Sequence, residues 1–381
     1  MKKILLTATV QSHIAQFHKP LIDLLQKNGY EVHVAARNNL SEKNGLNLDT
    51  PNKIFDIPFA RSPINKNNIN AYRQLKKLLD DNNYDVVHCN TPMGGVITRL
   101  AAKKHRLHGL KVFYTAHGFH FYKGAPLKNW LIYYPIEKLL ARYTDKLITI
   151  VKEDYNLART KFKTNVIYIH GVGANSDKYY PGLEIDNKNL RKGMNYEAEQ
   201  VLILCVGELN KNKNQSTVIK AMAEVVKEVP NAKLILAGNG PMEQELKELA
   251  KSLDIEYYVE FLGYRADLEN FMQIADIVVS ASFREGLPLN IVEAALCMKP
   301  VIISNNRGHK ELISQGINGY LINPNNSKEI SDYIIKIIKD KTYNFKYTNN
   351  TWLKIEDFTY KNVVKELEKI YDLSLKIEEK L

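Results

Sequence analysis

Short apolar runs bounded by turn residues alternate with segments of helical period along the whole of this 381-residue chain. That alternation calls for parallel strands joined by crossover helices, an α/β fold. In the first half the expected strands are ILLTATV (4–10), EVHVAA (31–36), DVVHC (85–89), KVFYTA (111–116), KLITI (146–150) and NVIYI (165–169). After the first strand, Ile14, Phe17, Leu21, Leu24 and Leu25 recur at three- and four-residue spacing, an apolar face suited to packing on a sheet. Residues 171–199 are rich in Gly, Asn and charge, lack apolar period, and read as a linker. A second series follows: VLILCVG (201–207), AKLILAG (232–238), YYVEFLG (257–263), DIVVSAS (276–282) and PVIIS (300–304). Two doubly wound, Rossmann-like domains are therefore expected, 1–170 and 200–357. Such sheets bind ligands beyond the carboxyl ends of their strands, which places a substrate in a central cleft between the halves. Residues 358–381 make a last helical segment, long enough to return to the first domain.

Composition removes several classes. With 45% hydrophobic residues, 25% charged residues and three cysteines, the chain is neither collagen-like, disordered nor disulfide-stapled. Cys89, Cys205 and Cys297 show no paired spacing and read as small buried apolar residues in a reducing compartment. Met1-Lys2-Lys3 and the short run after it lead into polar Gln11, Ser12 and His13, so a first strand is expected rather than a signal peptide. No window offers roughly 18 consecutive apolar residues, the length a bilayer span needs. A cytoplasmic protein is expected, peripheral at the inner face of the membrane.

Charge is unevenly divided. Residues 1–170 hold 26 Lys and Arg against 12 Asp and Glu, a net +14, while the remainder is nearly neutral at −3. A solvated lysine-rich face explains such an excess, and so does an anionic partner: a phospholipid surface, a phosphorylated substrate or nucleic acid. Arg99, Lys103 and Arg106 fall on one helix face beside Lys104 and Lys111, and Lys123, Lys128, Trp130, Tyr133 and Tyr134 gather later. Such a surface suits an anionic bilayer. Ile136, Leu139, Leu140 and Tyr143 have the spacing of a stripe that packs on the sheet. No nucleic-acid recognition module accompanies the basic patch, and nucleic acid is not expected as a partner.

The stretch SFREGLPLNIVEAALCMKPVIIS, residues 282–304, reads as a strand end, a turn and a helix N-terminus, with Pro288 where a first helical residue belongs. Free amides at such an end, backed by the helix dipole, suit a phosphate. Carboxylates on the loop and farther into the helix, Glu285 and Glu293, would then meet hydroxyl groups.

That glutamate spacing in EGLPLNIVEAA, with GELNKNKNQ (207–215), AGNGP (237–241), FLGY (261–264), GINGYL (316–321) and YTAHGF (114–119), resembles the retaining family-4 glycosyltransferases of GT-B fold, nearly end to end. NRGHKEL (306–312) and AHGFHF (116–121) resemble its capsular and exopolysaccharide branch. The resemblance implies an acceptor-binding first domain and a nucleotide-sugar-binding second one. It implies that Glu293 binds a ribose, and that Glu285 with the Gly286 and Leu287 amides faces the donor sugar and diphosphate. Lys213, following Gly207, would bind phosphate; Gly263 and Tyr264 would lie against the base; His117 would reach the sugar. Three positions depart from the pattern. Glu208 stands where the family commonly has arginine, leaving Lys211, Arg265 or Arg307 as sources of a second cation. Met298 replaces a usual glycine, and TATVQSHI lacks the common glycine pair, so the acceptor contacts of Gln11 to His13 stay open.

No His/Cys or carboxylate cluster stands out in the sequence, and the resemblance implies no metal and no cofactor besides the donor. His88, His120 and His309 have even claims to structural and site roles. The resemblance implies transfer of a hexose, expected to be N-acetylated, from a UDP-sugar to a polyprenyl-diphosphate-linked glycan in capsule or exopolysaccharide synthesis. A GT-B sugar-nucleotide epimerase and a catalytically idle membrane-bound scaffold are the alternatives.

Overall fold

The computed structural model describes residues 1–42, 46–340 and 355–373. The chain divides into two compact units, Met1–Gly173 with Tyr360–Leu381, and Ala174–Thr359.

In the first unit seven strands, β1 (Lys2–Val10), β2 (Tyr30–Arg37), β3 (Lys53–Asp56), β4 (Val86–Asn90), β5 (Lys111–Ala116), β6 (Lys146–Thr149) and β7 (Asn165–Tyr168), form one sheet in the order β3-β2-β1-β4-β5-β6-β7. Every pairing is parallel. Helices cover both faces, so β1 is buried continuously from Ile4 to Val10 rather than alternately. The order reverses between β1 and β4, the position at which sheets of this kind bind ligands beyond the carboxyl ends of their strands. The expected helix after β1 breaks at His18 into Gln11–Phe17 and Lys19–Lys27. Ile14, Leu21, Leu24 and Leu25 are buried, whereas Phe17 is only partly so. Helix Tyr360–Ile370 belongs to this unit and buries Val363, Leu367 and Ile370. Just beyond it, the Tyr371 hydroxyl lies 2.6 Å from His88 Nδ1. Residues 374–381 of the expected segment lie outside the described residues.

In the second unit β8 (Val201–Val206), β9 (Ala232–Ala237), β10 (Val259–Gly263), β11 (Ile277–Ser280), β12 (Val301–Ser304) and β13 (Tyr320–Ile322) are parallel in the order β10-β9-β8-β11-β12-β13. The reversal falls between β8 and β11. Strands β3 and β13 were not expected: both are short edge strands, and β3 is mostly exposed, so neither carries a long apolar run. Cys89, Cys205 and Cys297 are free and buried.

Three expectations are corrected. Residues 171–199 are not a bare linker: they hold the helix Glu184–Gly193, and Arg191 ties it to the second unit through Ile274 O at 2.6 Å and Asp276 at 2.7 Å. Its sparse apolar period hides a segment fixed by polar bonds and by buried Tyr179 and Tyr196. Arg99 is not on a basic face but is buried, 2.9 Å from Glu137 Oε2 and stacked 4.0 Å over the Tyr114 ring; Arg106 is held by both oxygens of Asp145. Ile136 and Leu139 do not pack on the sheet. They are exposed on the helix Leu127–Leu140, whose buried residues are Glu137 and Leu140, because this helix turns its charged Glu137 inward to meet Arg99.

Removing one partner of the Arg99–Glu137 pair strands the other charge in the core. Glu137→Ala should therefore lower unfolding free energy by about 3–5 kcal/mol, read from urea denaturation, since breaking a buried pair leaves an uncompensated charge.

Candidate active site

In the second unit the chemistry collects at the carboxyl ends of β8 and β11, the two strands flanking the order reversal. Gly207 ends β8 with φ of +153°, outside the ordinary range of L side chains, and Lys213 lies across it: a Cβ on Gly207 would sit 3.2 Å from the lysine stem. The neighbouring loop is equally close, for a Cβ on Gly238 would fall 2.1 Å from Gly207 O. Only glycine backbones can nest this tightly. The loop is bonded to the one after β11, because Phe283 N donates to Asn212 O at 2.8 Å and Asn212 Nδ2 to Arg284 O at 3.0 Å. Asn214, in the left-handed region at φ of +53°, completes the brace by donating to Pro324 O at 2.7 Å and to Ala281 O at 3.2 Å.

These braces bring Lys213 Nζ to 2.7 Å from Glu285 Oε1. Burial acts to raise the Glu285 carboxyl, but the Lys213 ammonium and hydrogen bonds from Lys213 and Ser282 prevail and hold it below the usual range. Glu285 is an anion beside a cation. Gly286 and Leu287 follow it, partly exposed, and their amides have no hydrogen-bond partner among the described residues. Gly308 presses on this loop from the next one: a Cβ there would lie 1.8 Å from Gly286 O. Buried His309 packs there too, its Nδ1 2.7 Å from Ser304 O; burial pushes its ring down to about 4.

Glu293 lies on the helix Leu289–Leu296, which Asn290 ties to Val206 O at 3.1 Å. Burial pushes the Glu293 carboxyl up to about 8, against the opposing hydrogen bond of Tyr179 and the charge of Lys178. Tyr179, from the segment read as linker, was missed; no periodicity marks it. Gly263 and Tyr264 stand at the end of β10, with Asn239 Oδ1 3.0 Å from where a Gly263 Cβ would be. Arg265 is engaged by both oxygens of Asp267 at 2.8 and 2.6 Å. Lys211 and Arg284 are exposed and have no ion-pair partner among the described residues, leaving both able to meet an anion.

In the first unit His117 follows β5, its Nε2 3.3 Å from Asn90 Oδ1 and 3.3 Å from His13 Nε2. Burial pushes His117 down to about 4 and lowers His13 and His18 as well, so all three rings are neutral near pH 7. His88 is not part of an open site: its two nitrogens are taken by Tyr371 and Thr115. Thr91, at the end of β4, has φ of +63°, a strained backbone for a β-branched residue, costing about 1–3 kcal/mol. Its hydroxyl, 2.7 Å from Thr9 Oγ1, helps hold it. This grouping of His13, His18 and His117 does not stand out in the sequence; positions 13, 18 and 117 meet only because β1 and β5 end on the same edge.

Two parallel-sheet, Rossmann-like units are the architecture of the GT-B fold. Residues 3–151 match the glycosyl transferase 4-like family and residues 186–352 the glycosyl transferases group 1 family. EpsD from Bacillus subtilis (strain 168), named as a glycosyltransferase, is 44% identical over 325 residues, 84% of this chain and 83% of its own. The UDP-Gal:alpha-D-GlcNAc-diphosphoundecaprenol alpha-1,3-galactosyltransferase of Escherichia coli is 27% identical over 334 residues, 86% of this chain and 84% of that one. The crystal structure of HepE from Anabaena in complex with UDP and glucose superposes with a TM-score of 0.77 at 21% identity, over 98% of this chain and 100% of that one. The chain belongs to the group 1, family-4-like glycosyltransferases.

Glu293 makes the fold sensitive to pH. Its folded carboxyl titrates near 8, above the ordinary 4.5, so the unfolded chain releases this proton first and the contribution to stability falls as pH rises from about 4.5 to 8. Glu293→Gln should gain in unfolding free energy relative to wild type across that window, measured by denaturant titrations at pH 5 and pH 8.

Proposed function

We propose that this glycosyltransferase moves an N-acetylated hexose from a UDP-sugar to a polyprenyl-diphosphate-linked glycan in capsule or exopolysaccharide synthesis, with retention at the anomeric carbon. The observation that carries the reading is the 2.7 Å Lys213–Glu285 pair beside the Gly286 and Leu287 amides. A departing diphosphate gains charge as the glycosidic bond breaks, and a fixed ammonium with preorganised amides favours that state over bound substrate. Glu285, anionic and braced, faces the sugar. Glu293 accepts ribose hydroxyls, and since these stabilise the anion, donor binding expels its proton. In retention by front-face attack, the acceptor oxygen bonds to the anomeric carbon as the bond to phosphate breaks, and the acceptor proton passes to the leaving phosphate oxygen. His117, a neutral imidazole, meets a sugar hydroxyl. Gly207 lets the Lys213 stem lie flat, and Gly263 and Tyr264 border the base. The diphosphate is read as held by Lys213 and the Gly286 and Leu287 amides, without a metal bridging its oxygens. Supporting the donor and acceptor classes are the UDP and glucose of the HepE complex and the diphosphoundecaprenol acceptor in the name of the E. coli relative.

Lys213→Ala should lower kcat by about 10²–10³, the loss found on removing one preorganised donor, while Glu293→Ala should chiefly weaken UDP-sugar binding by calorimetry. Wild-type behaviour in both variants would remove these roles. A new epimer from donor alone would replace transfer with epimerisation, and UDP binding without turnover on any lipid-linked acceptor would favour an idle scaffold.

The membrane-facing part of the reading rests on the helix Leu127–Leu140. Leu127 and Leu131 are 73% and 68% exposed, and Ile132, Ile136 and Leu139 are exposed beside them, with Lys128 and Lys138 on the same helix. No described helix is long and apolar enough to cross a membrane. Apolar side chains with neighbouring lysines instead suit the surface of an anionic bilayer, where each cation contributes about 1 kcal/mol. Co-sedimentation with anionic vesicles should fall with rising salt, as screening predicts, and fall further in Leu131→Glu; binding unchanged by both would overturn membrane docking.

A further inference from the structure

The first unit gathers three imidazoles that the transfer reading does not use together. His13 and His18 come from the interrupted helix after β1 and His117 from the loop after β5. One ring nitrogen from each lies within 4.8 Å of the other two. The ring centroids stand 4.6 Å apart for His13 and His117, 5.3 Å for His13 and His18, and 5.7 Å for His18 and His117. His18 Nε2 is buried and has no hydrogen-bond partner among the described residues. A buried imidazole nitrogen so placed lacks the partner that burial ordinarily demands.

We propose that His13, His18 and His117 bind a borderline divalent transition-metal ion of the Zn²⁺ class. The spacing fits such an ion. With Zn–N bonds of about 2.0–2.1 Å, two ligands of a tetrahedron lie about 3.3 Å apart, and His13 Nε2 and His117 Nε2 stand 3.3 Å apart. The third nitrogen, within 4.8 Å of both, closes on the ion by a small ring movement. The donor set is all imidazole, which suits zinc, copper, nickel and cobalt and does not suit magnesium or calcium, whose ligands are oxygens. Three protein ligands leave a fourth position for water or for Asn90 Oδ1, already 3.3 Å from His117 Nε2. His88 is not a ligand, because Tyr371 and Thr115 occupy its two nitrogens at 2.6 and 2.7 Å. The break at His18 is what makes the site: were Gln11–Lys27 one continuous helix, His13 and His18 would lie five residues apart, on different faces.

The test is a Co²⁺ titration of the untagged, metal-stripped full chain. The expected result is the intense visible ligand-field absorption of four-coordinate cobalt, saturating at one ion per chain and bleached by Zn²⁺, which such sites bind more tightly than Co²⁺. His13→Gln, at a partly exposed position, and His18→Ala should each weaken binding by more than about 100-fold, beyond the cost of losing an outer-shell partner. His108→Ala, an exposed histidine outside the cluster, should leave it unchanged. UDP binding is read by thermal shift in the same samples. Cobalt absorption absent from the wild-type chain, or present and unaltered in His13→Gln, overturns the metal site whatever UDP does, whereas cobalt binding with no UDP binding leaves the metal site and removes the donor-site reading.

Discussion

In a parallel sheet no strand can be joined to its neighbour by a hairpin, so every connection must cross back over the sheet, usually as a helix, and every strand must end on the same edge. Both sheets of this protein obey that constraint, and the rest of the molecule follows from it. Crossover helices bury both faces, which makes the strands continuous apolar runs such as Ile4–Val10. The common carboxyl edge makes loops converge, and where strand order reverses they part. Lys213 leaves one side of that parting in the second unit and Glu285 the other, separated by 72 residues of chain yet 2.7 Å apart.

What the convergence produces is a set of ionisable groups whose surroundings push them in opposite directions. Glu285 and Glu293 are both partly buried carboxyls eight residues apart, but one has an ammonium beside it and the other a phenol. The first is held ionised and the second is pushed up to about 8. Two copies of one side chain thus become an anion and a proton holder: Lys213 outweighs burial at Glu285, whereas burial outweighs the opposing Tyr179 hydrogen bond at Glu293. The glycines matter in the same way. Gly238 and Gly308 let backbone approach backbone where any side chain would separate the loops, and Gly207 leaves room for the Lys213 stem that reaches Glu285.

Much of this was legible in the residues. Strand runs, the glutamate pair and Lys213 stand out because apolar period, turn chemistry and the EGLP context are local properties. The misses share the opposite character. Arg99 has the spacing of a surface cation, and only Glu137, 38 positions away, explains its burial. Ile136 and Leu139 have the period of a packed stripe, but period fixes which residues share a helix face and not which face turns inward; the Arg99–Glu137 pair decides that. Tyr179 sits in a stretch without pattern, and His13 and His18, from the broken helix after β1, meet His117, from the loop after β5, only through sheet order. Edge strands β3 and β13, four and three residues long, are too short to carry a signal.

The return of Tyr360–Ile370 to the first unit reaches into the order in which the molecule can be made. The chain leaves the first unit at Gly173, builds the whole of Ala174–Thr359, and only then supplies the residues that finish what it began. His88 waits for Tyr371, which lies 283 positions downstream, and His170 waits for Glu366. During synthesis from the N-terminus, the second unit has all of its residues before the first does. The first sheet emerges before the second yet is completed after it, with His88 Nδ1 lacking its Tyr371 partner until the second unit has been made.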